Sequence, residues 1–152
     1  MINLKRTTST DEDFRSLVSL LDRDLAIRDG ADHSFYNQFN KIDNINTALV
    51  YYEDGKPVGC GAFKEFDGES VEIKRMFVLP DFRGKGIAAE ILSELENWAA
   101  ELNYTTCVLE TGIKQPEAIR LYQKSGYQLI PNYGQYEGVA TSVCFRRKLR
   151  QI

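Results

Sequence analysis

The sequence predicts an α/β domain with a mixed central sheet of about six to seven strands, flanked by about four helices. Three observations predict this class. Turn signals such as Asp67-Gly68 divide the middle of the chain into short strands of the hairpin type. Residues 105–110 form a near-continuous apolar run, typical of a buried parallel strand. Amphipathic helices precede and follow that run, so a parallel crossover should share one sheet with antiparallel hairpins.

Length and composition indicate one domain over residues 1–152. The chain has 152 residues, of which 43% are hydrophobic, and this composition excludes collagen-like, low-complexity and disordered classes. A formal net charge of −3 argues against nucleic acid or an anionic membrane as a bulk electrostatic partner. Because the chain has no membrane-length apolar run and no apolar leader, we expect a cytoplasmic protein.

The cysteines do not indicate a disulfide framework or a metal site. Cys60, Cys107 and Cys144 are widely spaced in apolar, strand-like segments, and no CxxC pair occurs. The chain has one histidine, His33, which limits both zinc ligation and a cysteine–histidine pair. We therefore expect buried reduced thiols and no metal.

The elements follow in order from apolar spacing. A strand over residues 2–6 precedes a helix of about four turns, with Thr8, Ser9 and Thr10 as capping candidates and an end near Gly30. A short second helix is predicted within residues 32–40. Strands are predicted at 48–52, 58–66, 70–79, 105–110, 127–130 and 142–149, and helices at 86–102 and from Pro116 to Gly126.

A glycine-rich, basic turn precedes the helix at 86–102. Its residues are Arg83, Gly84, Lys85, Gly86, Ile87 and Ala88. Glycines let several backbone N–H groups point at one anion, and the helix N-terminus and the two cations add positive charge. The turn therefore predicts a pyrophosphate site.

Other interpretations of this turn are weaker but stay open. The GxxxxGK[ST] spacing of a Walker A loop is missing. A dinucleotide fingerprint in its strict form requires a glycine where Ala89 stands, and residues 80–83 separate the turn from its strand. A basic helix start without any ligand is the remaining alternative.

Residues 71–80 and the glycine turn together resemble the acetyl-CoA-binding motif of the GNAT acyltransferases. Arg83, Gly86 and Ala88 fill the three fixed positions of that motif. Downstream, the family's second signature is similar to QPEAIRLYQKSGY at residues 115–127, although Gln115 stands where the family often has asparagine. The resemblance spans almost the whole chain and implies the GNAT acyl-CoA N-acyltransferase fold.

The resemblance implies that acetyl-CoA is the co-substrate and that no metal is needed. The pyrophosphate would lie on the glycine turn, and the pantetheine arm would lie along the backbone of Met76, Phe77 and Val78, with Gln115 nearby. The acceptor amine would attack the thioester directly, so no enzyme nucleophile is required.

Two proton-transfer roles remain for side chains. Tyr122 matches the family's usual acid for the departing thiolate, with a packed core tyrosine as the alternative. Glu72 and Glu110 lie on the two strands expected to border the active site, and either could accept the amine proton through water. A solvated strand-edge charge is the alternative for each glutamate.

The resemblance also implies that the acceptor pocket lies between the early helical region and a late loop, here residues 132–137. Its predicted members are Asp29, Asp32, His33, Tyr36 and Tyr133. Acids and tyrosines in this combination suit a cationic amine.

The predicted function is N-acetyl transfer from acetyl-CoA to a primary amine of a small molecule or peptide. A non-catalytic acyl-CoA sensor on the same fold is an alternative, because a binding motif does not establish turnover. A phosphate- or nucleotide-binding interaction module is another. The acceptor's identity is left open, as is assembly into a homodimer.

Overall fold

The computed structural model describes residues 1–29 and 44–149, with the side chain of Asp29 excepted. The strands are β1 Ile2–Thr7, β2 Ala48–Glu53, β3 Lys56–Glu65, β4 Ser70–Val78, β5 Thr106–Gly112, β6 Gln128–Ile130 and β7 Ser142–Lys148. The helices in these ranges are α1 Glu12–Asp29, α2 Ile87–Glu101 and α3 Pro116–Lys124. Short 3-10 turns occupy Pro80–Phe82 and Gly134–Tyr136. The helix predicted within 32–40 lies outside the described residues.

The strands form one mixed seven-stranded sheet, which confirms the predicted fold class. Its order is β1-β2-β3-β4-β5-β7-β6. Only β4 and β5 pair in parallel among the described strands, and the other neighbours are antiparallel. The helix α2 connects β4 to β5, as a parallel crossover requires.

Helices cover both faces of the sheet. Successive β2 residues alternate between two cores, since Leu49 and Tyr51 join the core under α2, whereas Ala48 and Val50 join the core under α1. The apolar stripe of α2 is Ile87, Ile91, Leu92, Leu95 and Ala99. The stripe of α1 is Phe14, Leu17, Val18 and Leu21. Apolar packing therefore covers both faces of the sheet. A ligand can enter the fold where two neighbouring strands separate.

The cap of α1 differs from the prediction. Asp11, rather than Thr8, Ser9 or Thr10, caps the helix, because its Oδ1 accepts the backbone N–H of Phe14 at 3.0 Å. A carboxylate at this position also favours the positive end of the helix dipole.

The three cysteines are free and buried, as expected. Burial raises the pKa of Cys107 to about 12 and that of Cys144 to about 11. Both thiols therefore stay protonated at neutral pH. Across the described ranges, no helix combines the length and the apolar character needed to cross a membrane.

Candidate functional site

The candidate site is a cavity of about 390 Å³ between the diverging ends of β4 and β5. The two strands pair only from Ser70 with Thr106 to Glu72 with Val108. Beyond Glu72 they separate, and residues 72–78 form one wall while residues 110–112 form the other. The rest of the lining comes from the glycine turn, the start of α2, the helix α3, Tyr136, and the α1 residues Leu21, Asp24 and Leu25.

A β-bulge in β4 shapes the wall of this cavity. The register with β3 shifts between the pairs Cys60–Phe77 and Ala62–Lys74, and Arg75 has a φ of +62°. Such a bulge bends its strand and re-aims side chains. Arg75 consequently turns towards α1, where its Nη1 lies 3.6 Å from Asp22 Oδ1. Neighbouring residues of a regular strand point to opposite faces of the sheet, but the bulge puts the side chains of Lys74 and Arg75 on the same face.

The glycine turn has the backbone conformation that an anion site requires. Gly84 and Gly86 have φ values of +78° and +82°, and an added Cβ would meet nothing within 4 Å at either position. The left-handed conformation, rather than crowding, therefore explains both glycines. Gly86 immediately precedes α2, so the free N–H groups of the first helical turn face the same mouth of the cavity.

Most of the predicted cofactor-binding residues line this one cavity. These are Met76, Phe77, Val78, Arg83, Gly84, Gly86, Ile87, Ala88 and Gln115. Lys85 is the exception, because its Nζ lies 5.2 Å from the centre of the Phe82 ring and the residue is not part of the lining. Arg83 donates from Nε to the Val78 carbonyl at 2.8 Å, which holds the side chain against the end of β4.

The mouth of the cavity also contains an ion-pair network that the sequence did not reveal. Arg83 Nη2 lies 3.8 Å from Asp24 Oδ2, and Arg28 Nε donates to Asp24 Oδ1 at 3.3 Å. Arg28 Nη1 also donates to Glu117 Oε1, which links α1 to α3. Asp24 and Arg28 form an i,i+4 pair on α1, but their contacts with Arg83 and Glu117 join distant parts of the chain, and no local pattern signals them.

Tyr122 lies in the wall of the cavity on α3. The side chain is buried, and its ring centre lies 5.8 Å from that of Tyr127 and 6.2 Å from that of Phe145. Burial, followed by the charge of Glu110, raises the pKa of Tyr122 above the usual phenol value. The hydroxyl is therefore protonated at neutral pH and able to donate a proton.

Glu72 and Glu110 border the same cavity from the two diverging strands. Glu72 Oε2 accepts a hydrogen bond from Tyr133 at 2.7 Å, and its Oε1 lies 3.8 Å from Lys74 Nζ. Burial lowers the pKa of Lys74, although the charges of Glu72 and Glu110 oppose that effect. The fold thus brings both predicted carboxylates to the cavity that Tyr122 lines.

The predicted acceptor residues are described only in part. Tyr133 packs edge-on against Phe66 and Tyr136, with ring centres 4.9 Å and 5.9 Å apart. Its hydroxyl is bonded to Glu72, so Tyr133 positions a carboxylate. Asp32, His33 and Tyr36 lie outside the described residues, as does the side chain of Asp29.

Metal ligation finds no support in the described part of the chain. Within residues 1–29 and 44–149, no three histidine, cysteine, aspartate or glutamate side chains are grouped as metal ligands. The residues that line the cavity supply carboxylates, an amine, phenols and an anion-binding turn.

Comparison with known proteins agrees with this geometry. The model of the acetyltransferase (GNAT) family matches residues 14–127. An IAA acetyltransferase of Azospirillum brasilense is 38% identical over 89 residues, which are 58% of this chain and 58% of that protein. The chain spans between 50% and 66% of the length of this relative and of three further N-acetyltransferase relatives.

Two solved structures are similar over nearly the full chain. A Klebsiella pneumoniae protein assigned as an acyl-CoA N-acyltransferase has a TM-score of 0.82 and 28% identity, with 99% of each chain covered. A GNAT family acetyltransferase of Elizabethkingia anophelis, solved with acetyl-CoA bound, has a TM-score of 0.69 and 19% identity. The second match covers 97% of this chain and 98% of that chain, and it shows only that the two folds are alike.

Proposed function

This chain belongs to the acetyltransferase (GNAT) family, and from that premise we propose that it transfers an acetyl group from acetyl-CoA to a primary amine of a small molecule or peptide. One observation carries the proposal. A single cavity extends from the anion-binding glycine turn to Tyr122, Glu72 and Glu110. Cofactor binding and proton transfer would therefore occur in one continuous space.

The walls of the cavity suit the parts of the cofactor. The pyrophosphate would accept hydrogen bonds from the N–H groups at the start of α2 and from Arg83. Strand β4 pairs with β5 only as far as Glu72, so its edge at residues 74–78 has no strand partner on that side among the described strands. An amide-bearing pantetheine arm would pair with this edge as an added strand does.

The proposed reaction is direct attack on the thioester. The neutral amine forms a C–N bond with the acetyl carbon, the C–S bond breaks, and its electron pair leaves with the CoA sulfur. Tyr122 would protonate that thiolate, because its phenol lines the cavity and carries a proton at neutral pH. Glu72 or Glu110 would accept the amine proton through water.

The acceptor would approach from the α1 side of the sheet. Glu72 and Lys74 alternate along β4 with Ile73, which joins the core under α2, so both point towards the α1 side. Glu72 and Glu110 would attract an ammonium group there, and Tyr136 would form an apolar wall, while Tyr133 would hold Glu72 in place. A cationic amine is the acceptor class that this arrangement favours.

Calorimetric titration with acetyl-CoA tests the cofactor site. The Gly86→Asp variant should lose measurable binding, because a carboxylate would stand where the phosphates are expected. Gly55→Asp is a matched control, since Gly55 has the same φ of +82° and the same open surroundings in the β2–β3 turn. Its affinity should equal that of the wild type.

The outcome separates the proposal from its alternatives. Equal affinities for the wild type and Gly86→Asp would contradict the assigned cofactor site. A screen of amines for CoA release then tests turnover. Binding without release for any amine would favour an acyl-CoA sensor over an enzyme.

A further inference from the structure

A second arginine lies beside the mouth of the cavity, where it pairs with Asp24 and Glu117, two residues of the lining. Arg28 lies in the last turn of α1, and Arg83 lies in the turn before α2. We propose that Arg28 and Arg83 together bind the phosphates of the cofactor, and that these phosphates displace Asp24 and Glu117 from the two arginines. This two-sided clamp rests on the proposed function, because it requires CoA to bind at the glycine turn.

The contacts place both arginines within reach of one anion. Arg28 and Arg83 share a single carboxylate, since Arg28 Nε lies 3.3 Å from Asp24 Oδ1 and Arg83 Nη2 lies 3.8 Å from Asp24 Oδ2. Two guanidinium groups that bind opposite oxygens of one carboxylate can also bind two oxygens of one phosphate group. Asp24 thus marks the position that a phosphate would take.

Glu117 extends the network to the other side of the mouth. It accepts a hydrogen bond from Arg28 Nη1 and lines the cavity at the start of α3. Burial alone would raise its pKa. Its own backbone N–H, the hydrogen bond from Arg28, and the charges of Arg28 and Arg83 outweigh that effect and lower the pKa of Glu117. Both arginines therefore act electrostatically on this carboxylate.

The charges at the mouth explain why an exchange of partners is needed. Two arginines and two carboxylates cancel, so the network as a unit gives a polyanion no net attraction. A pyrophosphate would be repelled by Asp24 and Glu117 unless they moved into solvent. Both carboxylates are already partly exposed, at 32% and 46%, so their release to water is inexpensive. The arginines would then bind the phosphates bidentately.

A clamp and a purely structural ion-pair network differ in what the loss of Arg28 should do to ligand affinity. Partly exposed ion pairs contribute little to folding, so the melting temperature should stay nearly unchanged when Arg28 is replaced. Loss of a charge-assisted phosphate contact should instead appear in the affinity for acetyl-CoA. The experiment therefore compares two ligands, acetyl-CoA and S-acetylpantetheine, which lacks the pyrophosphate.

Calorimetry on three variants tests the clamp. Arg28→Gln should bind acetyl-CoA about 10-fold or more weakly than the wild type. Arg23→Gln removes a charge from an exposed position on the same helix and should bind like the wild type. Glu117→Gln should bind acetyl-CoA about two- to fivefold more tightly, because a competitor for Arg28 is gone. None of the three should change the affinity for S-acetylpantetheine.

Three results would overturn the clamp while leaving the proposed function intact. These are equal acetyl-CoA affinities for Arg28→Gln and Arg23→Gln, an equal loss of S-acetylpantetheine binding in Arg28→Gln, and weaker acetyl-CoA binding in Glu117→Gln. A wild-type protein that binds neither ligand would overturn the proposed function, and the clamp with it.

Discussion

Two buried glutamates of this protein have nearly the same partners but different surroundings. Glu72 in β4 accepts a hydrogen bond from Tyr133 at 2.7 Å and lies 3.8 Å from Lys74 Nζ. Glu96 in α2 accepts one from Tyr127 at 2.8 Å and one from Arg147 at 2.9 Å. Their residues are 5% and 9% exposed. Both clusters thus combine a buried carboxylate with a tyrosine and a cation, and the cation lies closer to Glu96 than to Glu72.

The space beside each cluster does distinguish them. Glu72 forms part of the cavity wall, so water or a substrate can reach the carboxylate. Glu96 is not part of that lining, and its partners tie α2 to Tyr127 and to β7. A buried acid that pairs with a tyrosine and a cation is therefore a structural cross-link unless an opening adjoins it.

The largest expected effect is the difference in kcat between variants of Tyr122, in the cavity wall, and of Tyr127, beside Glu96. Tyr122→Phe should lower kcat about 10- to 1000-fold, because the thiolate loses its proton donor, and should leave the affinity for acetyl-CoA unchanged. Tyr127→Phe removes the same atom from a ring 5.8 Å away and should leave kcat nearly unchanged. Steady-state kinetics with melting curves measure both. Equal kcat values for the two variants would make Tyr122 a packing residue.

Stability should show the reverse order for the glutamates. Glu96→Ala should lower the free energy of unfolding by about 2 kcal/mol, because Tyr127 and Arg147 lose a charged partner inside the fold. Glu72→Ala should cost about 1 kcal/mol, since water in the cavity can solvate Tyr133 and Lys74. Urea unfolding followed by fluorescence measures both. A larger loss for Glu72→Ala would show that the cavity does not solvate Tyr133 and Lys74 in place of the carboxylate.

The smallest expected effect is the pH dependence of the Glu96 cluster. Burial raises the pKa of Glu96, and the bonds from Tyr127 and Arg147 offset this only in part. The folded protein therefore binds this proton more tightly than the unfolded chain does. The resulting stability is present below the unfolded pKa, near 4.5, and is lost as pH rises through the folded pKa.

Glu96→Gln removes this titration and serves as the reference. The wild type should lose stability relative to Glu96→Gln as the pH rises from about 4.5. Unfolding curves at several pH values test the sign. A wild type that gains stability relative to Glu96→Gln over that range would show that Arg147 dominates the cluster.

Much of the fold could be predicted from local sequence signals. Apolar spacing predicted the described strands and helices with ends within one or two residues, and the turn at Asp67-Gly68 connects β3 to β4. The predicted cap of α1 was wrong, because several residues that can cap a helix stand side by side. Asp11 is the one whose carboxylate reaches the backbone N–H of Phe14. The bulge was not foreseen, since Arg75 has no side-chain feature that favours a positive φ.

The sequence by itself determined the order of elements, the glycine turn and the residue types available for chemistry. Those features depend on the identities of neighbours along the chain, which act through backbone preferences and periodic burial. The sequence also predicted Glu72 at the active site, but the tertiary structure decided which tyrosine it binds and which arginine joins Arg83 at the mouth of the cavity. Glu72 meets Tyr133 and Arg28 meets Glu117 across 61 and 89 positions. Contacts at such separations arise only when packing brings distant elements together, so local patterns carry no record of them.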